Sequence, residues 1–431
     1  MEYPTRKAGI ILLLLTTMIL GLNAQIMGKN IVVTVQPDHQ DWNYKTGETA
    51  RFKVTVLRSG TPINNVKVDY EAGPEMFPTL HKKDVTLEDG TMNFAGKMTS
   101  PGFYRLKVTA HVDGKDYAGL CTAAFSPEKL TPATQCPKDF DTFWSNTLAQ
   151  ARKLDLDPHL TPLPDRSTQT VDVYEVSFVN DRPGGRIFGI LCVPKKPGRY
   201  PALLRVPGAG VRPYGGDIWT ASQGAITLEI GIHGIPVTLP QSLYDQIYKA
   251  GLDGYFDVNL EHPEKNYYRR VVTGAVRAVD YIASLPQWDG NIIGVTGSSQ
   301  GGFLSLAVAA LDKRVTFMAA VHDAMCDYES ELKGVAGGWP HYFYYDKTPT
   351  QQRIEGARYY DGVNFARRVT CTSWFSFGYN DEVVPPTSSY ATYNIVTAPK
   401  TLSVYPLTGH YWYQEQWDEW ENWILTQMKL K

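Results

Sequence analysis

The serine in Gly297-Ser298-Ser299-Gln300-Gly301-Gly302 is the residue of this chain best placed for covalent chemistry. The spacing is GxSxG, with Ser299 as the central serine and Ser298 at the variable position. Its context gives the motif meaning. The apolar run Ile292–Val295 enters as a strand, and Phe303–Leu311 leaves as a helix. A strand–turn–helix of this kind holds the serine on a strained turn with its hydroxyl above a sheet. A hydroxyl attacks an acyl carbon only if a base takes its proton. Three histidines follow: His322, His341 and His410. His410, in Leu407-Thr408-Gly409-His410, stands after a strand and before the last helix, where the base is expected. His322 also ends a strand and is the runner-up, and His341 lies in an aromatic loop.

A histidine base needs a carboxylate to fix its tautomer and stabilise the imidazolium. Asp381 closes the strand Ser373–Phe377 through Gly378-Tyr379-Asn380, ahead of Val383-Val384-Pro385-Pro386. Glu382, Asp323 and Asp361 are its competitors. The oxyanion needs two donors aimed where charge develops. One is the N–H of Gln300, and the other is the N–H of Ala209 in Pro207-Gly208-Ala209-Gly210. That loop is no dinucleotide fingerprint: it lacks the third glycine, and Pro213 disturbs the helix required there.

These residues need a sheet to carry them. From Pro137 onward apolar runs alternate with helical patterns. The runs are Ile187–Val193, Ala202–Val206, Ala225–Ile230, Ile292–Val295, Val315–Val321, Ser373–Phe377 and Leu402–Tyr405. The helical patterns include Tyr267–Leu285, Gly301–Leu311 and Gln414–Leu430, with another around Phe140, Phe143, Trp144, Leu148 and Ala151. Runs apolar on both faces, separated by helices, predict an α/β unit with a mostly parallel sheet. Residues 30 to about 126 have a different period. Tyr104, Leu106, Val108 and Ala110 alternate with Arg105, Lys107, Thr109 and His111, as in a half-buried strand. Turn signals at Thr46-Gly47, Asp89-Gly90, Pro101-Gly102 and Asp113-Gly114 separate such runs. An immunoglobulin-like sandwich over 25–126 is expected, then a linker over 127–136 and the catalytic unit over 137–431.

Arg6 and Lys7 precede an apolar run from Ala8 to Leu22, with Ala24 before the expected cut. The first 24 residues therefore read as a signal peptide, and the protein as secreted or periplasmic with no membrane span after cleavage. The 42 basic against 44 acidic residues argue against a nucleic-acid partner. Five cysteines are too few for a disulfide scaffold; Cys121 and Cys136 are the candidates for a pair, and Cys192 and Cys371 lie in apolar runs. Neither CxxC nor HExxH occurs, so no metal or other cofactor is expected.

Several separated blocks resemble the acetyl xylan esterase / cephalosporin C deacetylase family. They are Pro137-Lys138-Asp139-Phe140-Asp141 with Phe143-Trp144, Tyr267-Tyr268-Arg269 through Ala275–Val279, Gly294–Gly302, and Asp381 with Pro385-Pro386. The resemblance spans Pro137 to Lys431. It implies an α/β-hydrolase fold and release of acetyl groups from xylan or short xylo-oligosaccharides. It also places nucleophile, acid and base on Ser299, Asp381 and His410, and the oxyanion donors on Gln300 and Ala209. A homo-oligomer is among the assemblies it implies. The chain departs from the family in three places: Gly231-Ile232-His233-Gly234 stands for its Arg-Gly-Gln, Tyr411 follows the histidine in place of glutamate, and Pro-Gly-Ala replaces His-Gly-Tyr.

The expected function is thus a serine carbohydrate esterase acting on acylated oligosaccharide or polysaccharide. Trp339, Tyr379 and Trp412 are candidate pocket residues. The alternatives are a serine peptidase of the same fold, or an inactive glycan-binding protein.

Overall fold

The computed structural model describes residues 30–431, and the expected signal peptide lies outside them. Nine strands come first: β1 (Ile31–Pro37), β2 (Asn43–Tyr44), β3 (Thr49–Arg58), β4 (Thr61–Pro62), β5 (Val66–Pro74), β6 (Leu80–Leu87), β7 (Thr91–Lys97), β8 (Gly102–Val112) and β9 (Lys115–Phe125). They form two sheets. One carries β1, β3, β4 and β7, and the other has the order β2-β9-β8-β5-β6. Alternation builds the layer between them: Val33, Phe52, Val54, Leu106, Val108 and Ala110 all point into one buried cluster. The β8–β9 hairpin turns on Asp113-Gly114, both at positive φ (53° and 72°), which matches the right-handed twist of the strands it joins.

The second unit is built on a nine-stranded sheet. Its strands are β10 (His159–Pro162), β11 (Val171–Val179), β12 (Arg186–Pro194), β13 (Tyr200–Arg205), β14 (Ile226–Gly231), β15 (Trp288–Ser298), β16 (Phe317–Val321), β17 (Thr372–Phe377) and β18 (Lys400–Val404). The order is β10-β11-β12-β14-β13-β15-β16-β17-β18. The sheet is mixed. β10 to β14 pair antiparallel through β11 and β12, while β14-β13-β15-β16-β17-β18 is parallel throughout. Strands β10 and β11 were not anticipated from the sequence. β10 is exposed along its length, so it carries no apolar run.

Both faces of the parallel part are covered, which is why its strands read as unbroken apolar runs. Leu204, Val295, Met318 and Phe375 face helices α1 (Phe140–Ala151), α2 (Tyr267–Ser284) and α3 (Gln300–Leu311). Leu203, Phe317, Val321 and Trp374 face α5 (Gln414–Gln427), through Trp420 and Ile424, with Met428 just beyond the helix. Helix α4 (Pro386–Ile395) follows the Asp381 turn and packs Tyr390 and Ala391 into the N-terminal β core.

Residues 127–136, read as a linker, are a pinned strap. Thr134 is buried, its N–H donates to Asp327 Oδ1 at 2.9 Å, and its hydroxyl donates to Asp361 Oδ2 at 2.8 Å. All five thiols are free, the Cys121 and Cys136 pair included. Cys121 sits inside the β core, whereas Cys136 packs against the core of the second unit. No helix among the described residues is long and apolar enough to cross a membrane.

Candidate active site

β15 lies in the middle of the sheet and delivers Ser299 at its carboxyl end. Ser299 has φ 62° and ψ −125°, a conformation costing about 1–3 kcal/mol that its surroundings must impose. They do so through the backbone. Its N–H donates to Val321 O at 2.8 Å, and its carbonyl accepts from Gly302 N–H at 2.8 Å and Ala324 N–H at 3.2 Å. Gly297 and Gly301 make the turn sterically feasible, because a Cβ on either would stand 2.5 Å from Val206 O.

Asp381 and His410 arrive on the turns after β17 and β18, two and three strands along. His410 Nδ1 is 2.7 Å from Asp381 Oδ2. The other carboxylate oxygen accepts from the N–H groups of Val383 and Val384 at 2.8 and 2.9 Å. Burial would raise the Asp381 carboxyl. The His410 hydrogen bond, the two imidazoles beside it and the Val384 N–H outweigh that and hold it below the usual carboxylate range. His410 keeps 27% of its side chain exposed and opens on a cavity of about 620 Å³, which Ser299 also lines. The chemistry available to this arrangement is proton removal from a serine hydroxyl, with a buried carboxylate orienting the base.

The loop Pro207–Ala209 forms the facing wall. A Cβ on Gly208 would be only 3.8 Å from Ser299 Cβ, and Ala209 lines the cavity. Gln300, as the first residue of α3, has an N–H with no intrahelical acceptor. Its side chain, not foreseen from the sequence, ties this corner together. The amide oxygen accepts from the Tyr255 and Tyr268 hydroxyls, both at 2.7 Å, and Nε2 donates to Pro207 O at 3.2 Å. Arg212 donates to Ala209 O at 2.7 Å. His233, standing where the resemblance expects Arg-Gly-Gln, places Nε2 3.1 Å from Gly210 O and Nδ1 2.7 Å from the Tyr267 hydroxyl. Burial pushes its imidazole down to about 4, so it braces the loop as a neutral ring.

The other named residues fall elsewhere. His322 is buried beside the pair, its ring 5.1 Å from that of His410, with Ser298 Oγ 3.4 Å from Nδ1. Burial lowers it to about 4, and its Nε2 has no partner among the described residues. His341 is structural, bound to Glu331 at 2.9 Å and Val383 O at 3.1 Å. Asp361 caps a helix and the strap, Asp323 faces Cys326, and Glu382 pairs with Lys107. His322, Asp381 and His410 offer atoms within 4.8 Å of one another that could chelate an ion. Asp381 and His410 are already joined by the 2.7 Å hydrogen bond.

Trp339 and Trp412 line the cavity, and Trp412 stacks on Trp417 with ring centroids 4.0 Å apart. Tyr379 does not belong with them. It is buried against Phe103 of β8, and its hydroxyl meets Asn43 Oδ1 at 3.0 Å and the Tyr390 hydroxyl at 3.2 Å. The turn points this ring into the N-terminal β core and Asp381 toward the site.

Solved acetyl xylan esterases share the fold of the larger part of this chain. One from Paenibacillus sp. R4 is 27% identical with a TM-score of 0.61, covering 70% of this chain and 98% of its own. Another, from Thermoanaerobacterium sp. JW/SL YS485, is 24% identical with a TM-score of 0.61, covering 70% and 97%. The protein is a carboxylic ester hydrolase of the α/β-hydrolase fold. A family model described as Acetyl xylan esterase (AXE1) matches residues 127–426. An acetyl esterase, Axe7A of Xylanibacter ruminicola, is 40% identical over 381 residues, 87% of this chain and 86% of its own. The chain belongs to the acetyl xylan esterase family.

Proposed function

We propose that the protein is an exported serine esterase that removes acetyl groups from xylan or xylo-oligosaccharides. Ser299 Oγ attacks the ester carbonyl carbon while His410 Nε2 takes its proton. Asp381 holds the imidazole through Nδ1 and stabilises its charge. The Gln300 and Ala209 N–H groups bind the oxyanion. Collapse breaks the bond to the sugar oxygen, which leaves with the proton from His410. Water then attacks the acyl-enzyme, gives its proton to His410, and acetate departs as Ser299 recovers its hydrogen. Trp339 and Trp412 are the rings on which the sugar or acyl group packs.

The observation that carries this reading is the Asp381–His410 pair opening on the cavity that Ser299 lines. The relatives' names supply the substrate class. The test is a panel of acetylated xylan, acyl p-nitrophenyl esters and a chromogenic dipeptide, with fluorophosphonate labelling. Acetyl esters are expected to be the preferred substrates, with activity and labelling both lost in Ser299→Ala. Preferential peptide cleavage would give the peptidase reading the place of this one, and a native protein that resists the probe would leave a glycan binder.

A further inference from the structure

Four consecutive residues of the turn that carries the acid are each held by the N-terminal β region. Tyr379 meets Asn43 and Phe103. Asn380 Nδ2 donates to Leu120 O at 3.4 Å. Glu382 pairs with Lys107 at 2.8 Å. Between them, Arg105 reaches from β8 and donates through one terminal nitrogen to Asp381 O at 2.9 Å and Tyr379 O at 3.2 Å. The same nitrogen lies 3.3 Å from Glu75 Oε2, and Arg105 Nε donates to Thr122 Oγ1 at 2.8 Å. Arg105 and Glu75 are both buried, with side chains 9% and 2% exposed. Glu75 completes the clamp by accepting the Thr387 N–H at 2.9 Å, at the start of α4.

A buried ion pair is a poor source of net stability, since desolvation offsets most of its attraction. An apolar pair of similar size would close the seam as well. The guanidinium does something an apolar group cannot: it bonds two backbone carbonyls of the turn and fixes the peptide from which the Asp381 side chain departs. We propose that Arg105 is a positioning residue of the esterase, and that the N-terminal β region sets the carboxylate–imidazole geometry of a site otherwise built by the other unit. Glu75 and Thr122 aim the arginine.

This inference rests on Asp381 as the orienting acid. The full chain is therefore tested with Arg105→Met/Glu75→Gln, which leaves no unpaired buried charge, with Arg105→Lys, and with Asp381→Asn as reference. Readouts are kcat and KM on p-nitrophenyl acetate, the fraction of chains a fluorophosphonate probe labels, and the downfield proton resonance of His410 Nδ1–H. Misplacing a catalytic group by about an ångström costs on the order of a hundredfold. The double variant should lose about ten- to a hundredfold in kcat with KM within about twofold. Its labelled fraction should be unchanged and its downfield resonance broadened or lost. Arg105→Lys should recover part of the rate. A folded double variant with native kcat and an intact resonance would overturn the proposal, as would a fall in kcat that only tracks the labelled fraction. If the double variant does not fold, Thr122→Val decides: it frees Arg105 Nε without stranding a charge, and unchanged kcat there overturns the proposal. An Asp381→Asn enzyme with native turnover would instead remove the reading of the acid itself.

Discussion

Truncating Gln300 to alanine separates the backbone of this residue from its side chain. The N–H proposed to meet the oxyanion stays, whereas the amide that joins α3 to the Pro207–Ala209 loop is removed. Three buried groups lose a partner: the Tyr255 hydroxyl, the Tyr268 hydroxyl and the Pro207 carbonyl. Each orphaned buried group costs about 1–3 kcal/mol, and water entering the vacated space keeps each near the lower end, so about 3 kcal/mol of stability should go. The rate should fall as well, because the loop bearing Ala209 loses its tether. Complete loss of one oxyanion donor costs roughly 10²–10³ in turnover, which makes about ten- to a hundredfold the expected range for a displaced one. Gln300→Glu is the discriminating companion. It keeps the one oxygen that accepts from both phenols but faces the Pro207 carbonyl with a second oxygen instead of a donor. Burying a carboxylate against a carbonyl oxygen is costly, so this variant should be no more stable than the alanine variant and should recover little of the rate. Denaturant unfolding and kcat on p-nitrophenyl acetate measure the two effects. Native kcat in Gln300→Ala, with an unchanged unfolding midpoint, would refute the idea that this side chain holds the oxyanion loop.

Gly301→Ala puts two effects in opposition: helix propensity favours alanine by about 1 kcal/mol, but the new Cβ would lie 2.5 Å from the Val206 carbonyl oxygen. The clash is with backbone and should win, giving little soluble protein; a well-folded active variant would show that the turn can relax. His322 gives a pH test. Its folded value of about 4 lies below the ordinary 6.5 because of burial, so above pH 6.5 neither the folded nor the unfolded chain carries its proton. As pH falls from 6.5 toward 4, the unfolded chain takes up that proton first and stability is lost, by about 2 kcal/mol at pH 5. Urea midpoints at pH 7.5 and pH 5 should therefore differ less in His322→Gln than in the native protein, and an equal difference would contradict the assignment.

The motif residues were legible because their signals are local. GxSxG between a strand and a helix, a strand ending near Asp381 and another ending near His410 each occupy a few consecutive positions. The sheet then brings them together at its carboxyl edge. What escaped the sequence is bonding across long separations. Arg105 reads as the polar half of an alternating strand, and nothing near it announces a carbonyl partner 276 residues later. Tyr379 shows the same limit from the other side. An aromatic two residues before the acid looks like a pocket ring, and only the direction of the turn decides that it faces Phe103. The strap over 127–136 reads as a linker because its anchors, Asp327 and Asp361, each sit at the N-cap of a helical segment far downstream.

The distance between Arg105 and its carbonyl partner also bears on how the chain is made. At roughly 5–20 residues per second, synthesis takes about 14–55 seconds to travel the 276 residues from the arginine to its acceptor. The β8–β9 hairpin can close early, since its strands adjoin in the chain. For that interval the newborn hairpin holds a guanidinium whose two carbonyl acceptors do not yet exist, which leaves the first-made part of the enzyme waiting on the last quarter of translation.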